Sequence, residues 1–144
     1  MTTQALQRFY SDFNRADMGT LERLYEQDAV FRDPAHYVKG RDAIRRYFEQ
    51  SRSGLLRCEF EFHRVLEADQ QCAMEWSMHF SHRRLRGGKE LVVAGCSILT
   101  YNADSGRVQY HSDYFDLGAM LYEHIPCVGA LVASMKQRIG GAAP

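Results

Sequence analysis

A chain of 144 residues, 45% apolar and 25% charged, has the usual size of one domain and enough apolar surface to bury a core. Its 18 Lys and Arg match 18 Asp and Glu, which argues against a dedicated binder of nucleic acid or of an anionic membrane, because counterion release needs a surplus of cations. No apolar run approaches the ~20 residues that span a bilayer, and the start, "MTTQALQRFYSDF", lacks the charged end and apolar core of a signal segment, so a cytoplasmic protein is expected.

In chain order, Leu6, Phe9, Tyr10 and Phe13 recur at spacings of three and four, which predicts a helix over 3–15 with Thr2 or Thr3 as its cap. Asp17 starts a second, short helix with Leu21, Leu24 and Tyr25 turned inward. Val30 and Phe31 open a short extended piece that Pro34 ends, since a proline forces Asp33 out of helical geometry. "AHYVKG" reads as a loop. Residues 41–52 bring Ala43, Ile44, Tyr47 and Phe48 to one face of a third helix that stops near Gly54.

The period then changes to two. Cys58, Phe60 and Phe62 alternate with Glu59, Glu61 and His63. After a turn from Glu67 to Gln71, Cys72, Met74, Trp76, Met78 and Phe80 alternate with Ala73, Glu75, Ser77, His79 and Ser81 in the clearest strand of the chain. The turn "RRLRGGKE" holds Gly87-Gly88, which can supply positive φ. Its Arg83, Arg84, Arg86 and Lys89 read as a solvated turn, with an anion or nucleic-acid contact as the alternative. Leu91 to Tyr101 is nearly all apolar, which predicts a central strand covered on both faces. "NADSG" turns the chain into a last strand, Val108 to Phe115. Asp116 reads as the cap of a helix from Leu117 to Ile125, interrupted at Pro126, and Val128, Leu131, Val132 and Met135 continue an amphipathic helix.

Three helices enclosing one short strand, followed by a four-strand meander without repeat or linker, predict an α+β fold over residues 1–144. A curved antiparallel sheet wrapped around the N-terminal helices would make a cone with an apolar hollow. Cys58, Cys72, Cys96 and Cys127 show no C-x-x-C spacing and read as buried free thiols. His79 and His82 have metal-like spacing, but residues three apart on a strand face opposite ways, so no metal site is read.

Asn14, Asp17, Leu24-Tyr25, Asp28-Ala29-Val30-Phe31, Asp33-Pro34 and Gly40-Arg41-Asp42-Ala43-Ile44 form one motif. His111-Ser112-Asp113-Tyr114-Phe115-Asp116 forms a second. With the element order, they resemble the nuclear transport factor 2-like superfamily, which includes ketosteroid isomerases and SnoaL-like polyketide cyclases. The resemblance covers nearly the whole chain and implies a cystatin-like α+β roll. The isomerases carry a general base on a D-P pair after the first strand, and Asp33-Pro34 matches it, which implies an inward carboxylate at the rim of the cone. Their first-helix tyrosine falls at Phe9, with Tyr10 one place off, and their strand aspartate falls near Ser97, so their oxyanion hole is not reproduced. The cyclases use an acid–base aspartate inside the cone, and Asp113 with His111 looks similar. Residues two apart share a strand face, so His111, Asp113 and Phe115 point one way and Tyr110, Ser112 and Tyr114 the other. The matching puts the first set inside, together with Met74, Trp76, Met78 and Phe80.

The expectation is an isomerase, cyclase or dehydratase without cofactor or metal, acting on a small hydrophobic carbonyl compound. Asp113, oriented by His111, would move a proton, with Asp33 as the second acid–base group. Tyr10, Tyr37 or Ser97 would hydrogen-bond the substrate oxygen, and Phe13, Phe48, Trp76, Met78 and Phe115 would line the pocket. The alternative is a non-catalytic carrier of an apolar ligand or a dimeric adaptor. Asp33 could simply bond its own backbone in a turn, and His111 with Asp113 could be a structural pair. The outward sheet face, with Glu75, Ser77, His79, Tyr110, Ser112 and Tyr114, suits a wet homodimer interface, and family members commonly pair there. The last helix would close the cone or add to that interface.

Overall fold

The computed structural model describes residues 2–120 and 128–140. Helix α1 (Thr2–Ser11) buries Leu6, Phe9 and Tyr10 on the face their spacing predicts. It ends four residues short of the predicted boundary. The Thr2 hydroxyl donates to the Gly106 carbonyl, and that of Thr3 pairs with the Tyr101 hydroxyl at 2.7 Å. Asp17 caps a 3-10 turn, Met18–Thr20, by accepting from the Gly19 amide at 2.9 Å. That turn leads into α2 (Leu21–Leu24).

Six strands follow the order β2-β1-β6-β5-β4-β3 in one curved, unclosed sheet. They are β1 (Tyr25–Arg32), β2 (Tyr37–Lys39), β3 (Leu55–Ala68), β4 (Gln71–His82), β5 (Leu91–Tyr101) and β6 (Val108–Phe115). Helix α3 (Arg41–Arg52) sits between β2 and β3 in the chain. The meander β3 to β6 is antiparallel throughout, as its turns predict. β1 lies against β6 in parallel, so the sheet is mixed at that one seam. With the helices packed on its inner face, the arrangement is the α+β cone that the resemblance implies.

Three expectations change. β1 begins at Tyr25, not Val30, and its register breaks between those two residues. That irregularity disrupts the period-two pattern in the sequence. Tyr25 is a fully buried strand residue instead of a helix residue. "AHYVKG" contains β2, which pairs Val38 with Phe31. β5 is central, but its outer face is left open by the described residues, with Val92 56% and Ile98 42% exposed.

The core fills the space between the inner sheet face and the helices, with Tyr25, Leu6, Ile44, Trp76 and Leu99 fully or almost fully buried. Each large apolar side chain so buried contributes roughly 1.5–3 kcal/mol relative to exposure. Trp76 faces Gly95 across the β4–β5 pairing. A Cβ at Gly95 would lie 2.3 Å from an indole carbon, so the missing side chain is the space the ring occupies. Cys58, Cys72 and Cys96 are free thiols, the first two buried and the third half-buried; Cys127 lies outside the described residues. Helix α4 (Leu117–Met120) follows β6; its predicted continuation to Ile125 and the Pro126 break also lie outside them. In α5 (Val128–Gly140), Lys136 pairs with Asp116, the residue predicted as a helix cap. Among the described residues no helix is long and apolar enough to cross a membrane.

Candidate active site

A cavity of about 550 Å³ opens between α1, α3 and the inner sheet face, within the range of small-molecule pockets. Tyr10, Phe13, Phe48, Trp76, Met78 and Phe115 lie on its wall, where the sequence reading puts them. Both candidate carboxylates, Asp33 and Asp113, lie on the same wall. The hollow is therefore mostly apolar, with two acids whose side chains are only 7% and 12% exposed. No described residue of α5 lines it.

Strand alternation turns His111, Asp113 and Phe115 inward and leaves Tyr110 and Tyr114 exposed. His111 is 2% exposed and lies behind Asp113, off the main cavity. Its Nε2 is 2.7 Å from Asp113 Oδ1, and the Ser97 hydroxyl donates to the same oxygen at 2.5 Å. Trp76 Nε1 donates to Ser97 Oγ at 2.8 Å. On the other side, His111 Nδ1 is 2.7 Å from the Tyr25 hydroxyl, which is 2.8 Å from that of Tyr10. An ionised carboxylate only accepts, which sets the direction of the network when His111 is neutral. His111 then donates from Nε2 to Asp113 and accepts at Nδ1 from Tyr25, whose oxygen accepts from Tyr10. Two donor chains thus converge on Oδ1, while Oδ2 has no hydrogen-bond partner among the described residues.

Burial pushes the phenols of Tyr10 and Tyr25 well above their ordinary range, so both stay neutral; Tyr25 adds to the rise at Tyr10, the hydrogen bond with Tyr10 opposes it at Tyr25, and the Asp113 charge adds to both. Burial also pushes the Cys58 thiol, another wall residue, up to about 12. It stays protonated and does not serve as a nucleophile.

Asp33 sits just beyond β1, and its Oδ1 accepts from the amides of Ala35 and His36 at 2.8 and 2.7 Å. That is the Asx turn the chain geometry allows. His36 Nδ1 is 3.2 Å from Oδ1, and the Tyr47 hydroxyl donates to Oδ2. The Tyr47 phenol is raised by burial first and by Asp33 next. Both oxygens of Asp33 are engaged; among the described residues one oxygen of Asp113 is not.

The candidates for binding a substrate oxygen fall differently from expectation. Tyr37 is 68% exposed on β2 and away from the cavity. Ser97 is buried behind Asp113, and the Tyr10 hydroxyl is taken up by Tyr25 although its ring reaches the wall. Tyr47, His36, His82 and Arg84 line the cavity without having been predicted to. Tyr47 reads in the sequence as one more apolar position of α3, and only the tertiary fold brings its hydroxyl to Asp33. His79 and His82 do face opposite ways: His79 meets Glu61 and Glu90 on the outside, whereas His82 lines the cavity.

A model of the SnoaL-like domain family matches residues 6–111. No curated protein matches the sequence. A solved candidate SnoaL-like polyketide cyclase from Shewanella denitrificans is similar at 21% identity and a TM-score of 0.70, over 83% of this chain and 93% of that one. A protein with a ketosteroid isomerase-like fold from Catenulispora acidiphila, solved with trimethylamine, is similar at 15% identity and a TM-score of 0.71, over 83% and 88%. AclR, a candidate hydroxylase from Streptomyces galilaeus, is 15% identical with a TM-score of 0.67, over 99% of this chain and 96% of its own. At such identities the likenesses are of fold. The family model, which runs from the first helix into the strand of the buried histidine, is the stronger finding, and by it the chain belongs to the SnoaL-like domain family within the nuclear transport factor 2-like superfamily.

Proposed function

We propose that the protein is an acid–base enzyme of the isomerase, cyclase or dehydratase kind, acting on a small hydrophobic carbonyl compound. The observation that carries this reading is Asp113: one carboxylate oxygen is fixed by Ser97 and His111, and the other is left unpaired on the wall of an apolar cavity. Held in that way, Oδ2 is the atom that takes a proton from a carbon next to the substrate carbonyl. His111 is a positioning residue, aligned in turn by Tyr25 and Tyr10. Asp33, with Tyr47 and His36 around it, is the second proton-exchanging group.

The test is deuterium exchange into the α-carbon of simple aryl ketones such as 2-tetralone, followed by NMR in D₂O. The wild-type chain accelerates exchange, and Asp113→Asn loses it by roughly 10²–10⁴-fold, the usual span for a general base, without a change in circular dichroism. Undiminished exchange in a folded Asp113→Asn variant removes Asp113 from the role of base.

A second reading, a non-catalytic carrier of apolar ligands, is favoured by Asp33, whose two oxygens are already satisfied within the protein. Ketone binding without any exchange supports the carrier. We also propose a homodimer through the outer sheet face, where Val92, Ile98, Tyr110 and Tyr114 are exposed.

A further inference from the structure

We infer that the cavity takes an amphipathic anion, an apolar body with a carboxylate or phosphate terminus held by Arg84 and His82. The inference rests on the cavity being a ligand site, as proposed above, and adds the substrate's charge and orientation. Of the four basic residues in the turn after β4, Arg84 alone lines the cavity. Among the described residues it has no carboxylate within ion-pair distance, whereas Arg45, Arg57 and Arg64 each have at least one. Among the described residues, the ion pairs of the two acids on the wall run to His36 and His111 and not to Arg84.

His82 is set up as a second donor. Its Nδ1 accepts from the Arg84 amide at 3.1 Å, so the neutral ring carries its proton on Nε2. The ring lies over Gly54, whose φ is +88° and where a Cβ would stand 2.5 Å from Nε2. The glycine both permits the turn out of α3 and leaves the imidazole its place against the backbone. A guanidinium and an imidazole N–H, two residues apart at the end of β4, are suited to charge-assisted hydrogen bonds with an anionic terminus. Asp33 and Asp113 repel the same terminus from the rest of the wall, so the ligand enters with one orientation.

Calorimetric titration of the full chain with octanoate, octyl phosphate, 1-octanol and octylamine tests the inference. At least one anion binds about tenfold tighter than the alcohol, the equivalent of one well-made charged contact. Arg84→Gln removes that preference while leaving the affinity for 1-octanol unchanged, and Arg84→Lys retains part of it. Tighter binding of octanoate than of octyl phosphate assigns a carboxylate terminus, and the reverse assigns a phosphate. The inference is overturned if 1-octanol equals both anions, if octylamine binds tightest, or if the preference survives Arg84→Gln. In those cases the apolar cavity stands as a site; failure of all four ligands to bind removes that reading too. Arg84 is an exposed turn residue, and thermal melting verifies that each variant is folded.

Discussion

Asp113 owes its geometry to residues of β5 and β4, the next two strands of the sheet beside its own. The indole of Trp76 donates to Ser97, Ser97 donates to the carboxylate, and the indole fits because position 95 has no side chain. Gly95→Ala puts a methyl carbon 2.3 Å from the ring, so the indole must shift. The expected cost is about 1–3 kcal/mol of stability, seen as a lowered melting temperature, with a drop in any exchange activity as Ser97 loses its donor. An unshifted melting temperature would show that the ring moves freely. Period-two alternation puts His111 with Asp113, and Trp76 with Met74 and Met78, on one strand face; that this face is the inner one is what the family resemblance implies. Ser97 is legible only as a position on β5; that its hydroxyl serves Asp113 depends on register, which the sequence pattern leaves open. Tyr25 and Tyr47 carry polar tips on residues that read as plain core.

At the scale of elements, β5 shows what an apolar run can and cannot say. Continuous apolarity correctly marks it as central, between β4 and β6. It does not say what lies against the outer face, because a strand covered by its own chain and one covered by a second copy have the same composition. Val92 and Ile98, with Tyr110 and Tyr114 on the neighbouring strand, present that face outward. Ile98→Glu or Tyr114→Glu places a charge in the proposed interface. Sedimentation velocity is expected to move from a dimer of 16.6 kDa chains to a monomer in either variant, with the fold unchanged. A monomeric wild type would remove the dimer. The first half of β1 and all of β2 escaped the sequence reading for local reasons: β1 has a break in register before Val30, and β2 is only three residues long.

For the whole molecule, the buried phenols make stability depend on alkaline pH. Tyr10 and Tyr25 are held neutral chiefly by burial, while in the unfolded chain each ionises near pH 10. Below that pH their contribution is fully present. Above it the unfolded chain releases protons that the folded one keeps, so stability falls by about 1.4 kcal/mol per pH unit for each phenol still neutral in the fold. The melting temperature is expected to decline from about pH 10 upward, with phenolate absorbance rising together with unfolding. Tyr25→Phe is expected to flatten that decline, and an equal decline in the variant would assign it to other groups. The parallel seam between β1 and β6 has a consequence for how the protein is made. Tyr25 and His111 are 86 residues apart along the chain, so their bond closes a long loop that local structure cannot anticipate. A nascent chain leaving the ribosome can build its helices and hairpins early, but it stays an unsealed half-shell, with its aromatic lining open to water and to chaperones, until the strand bearing His111 has emerged and docked.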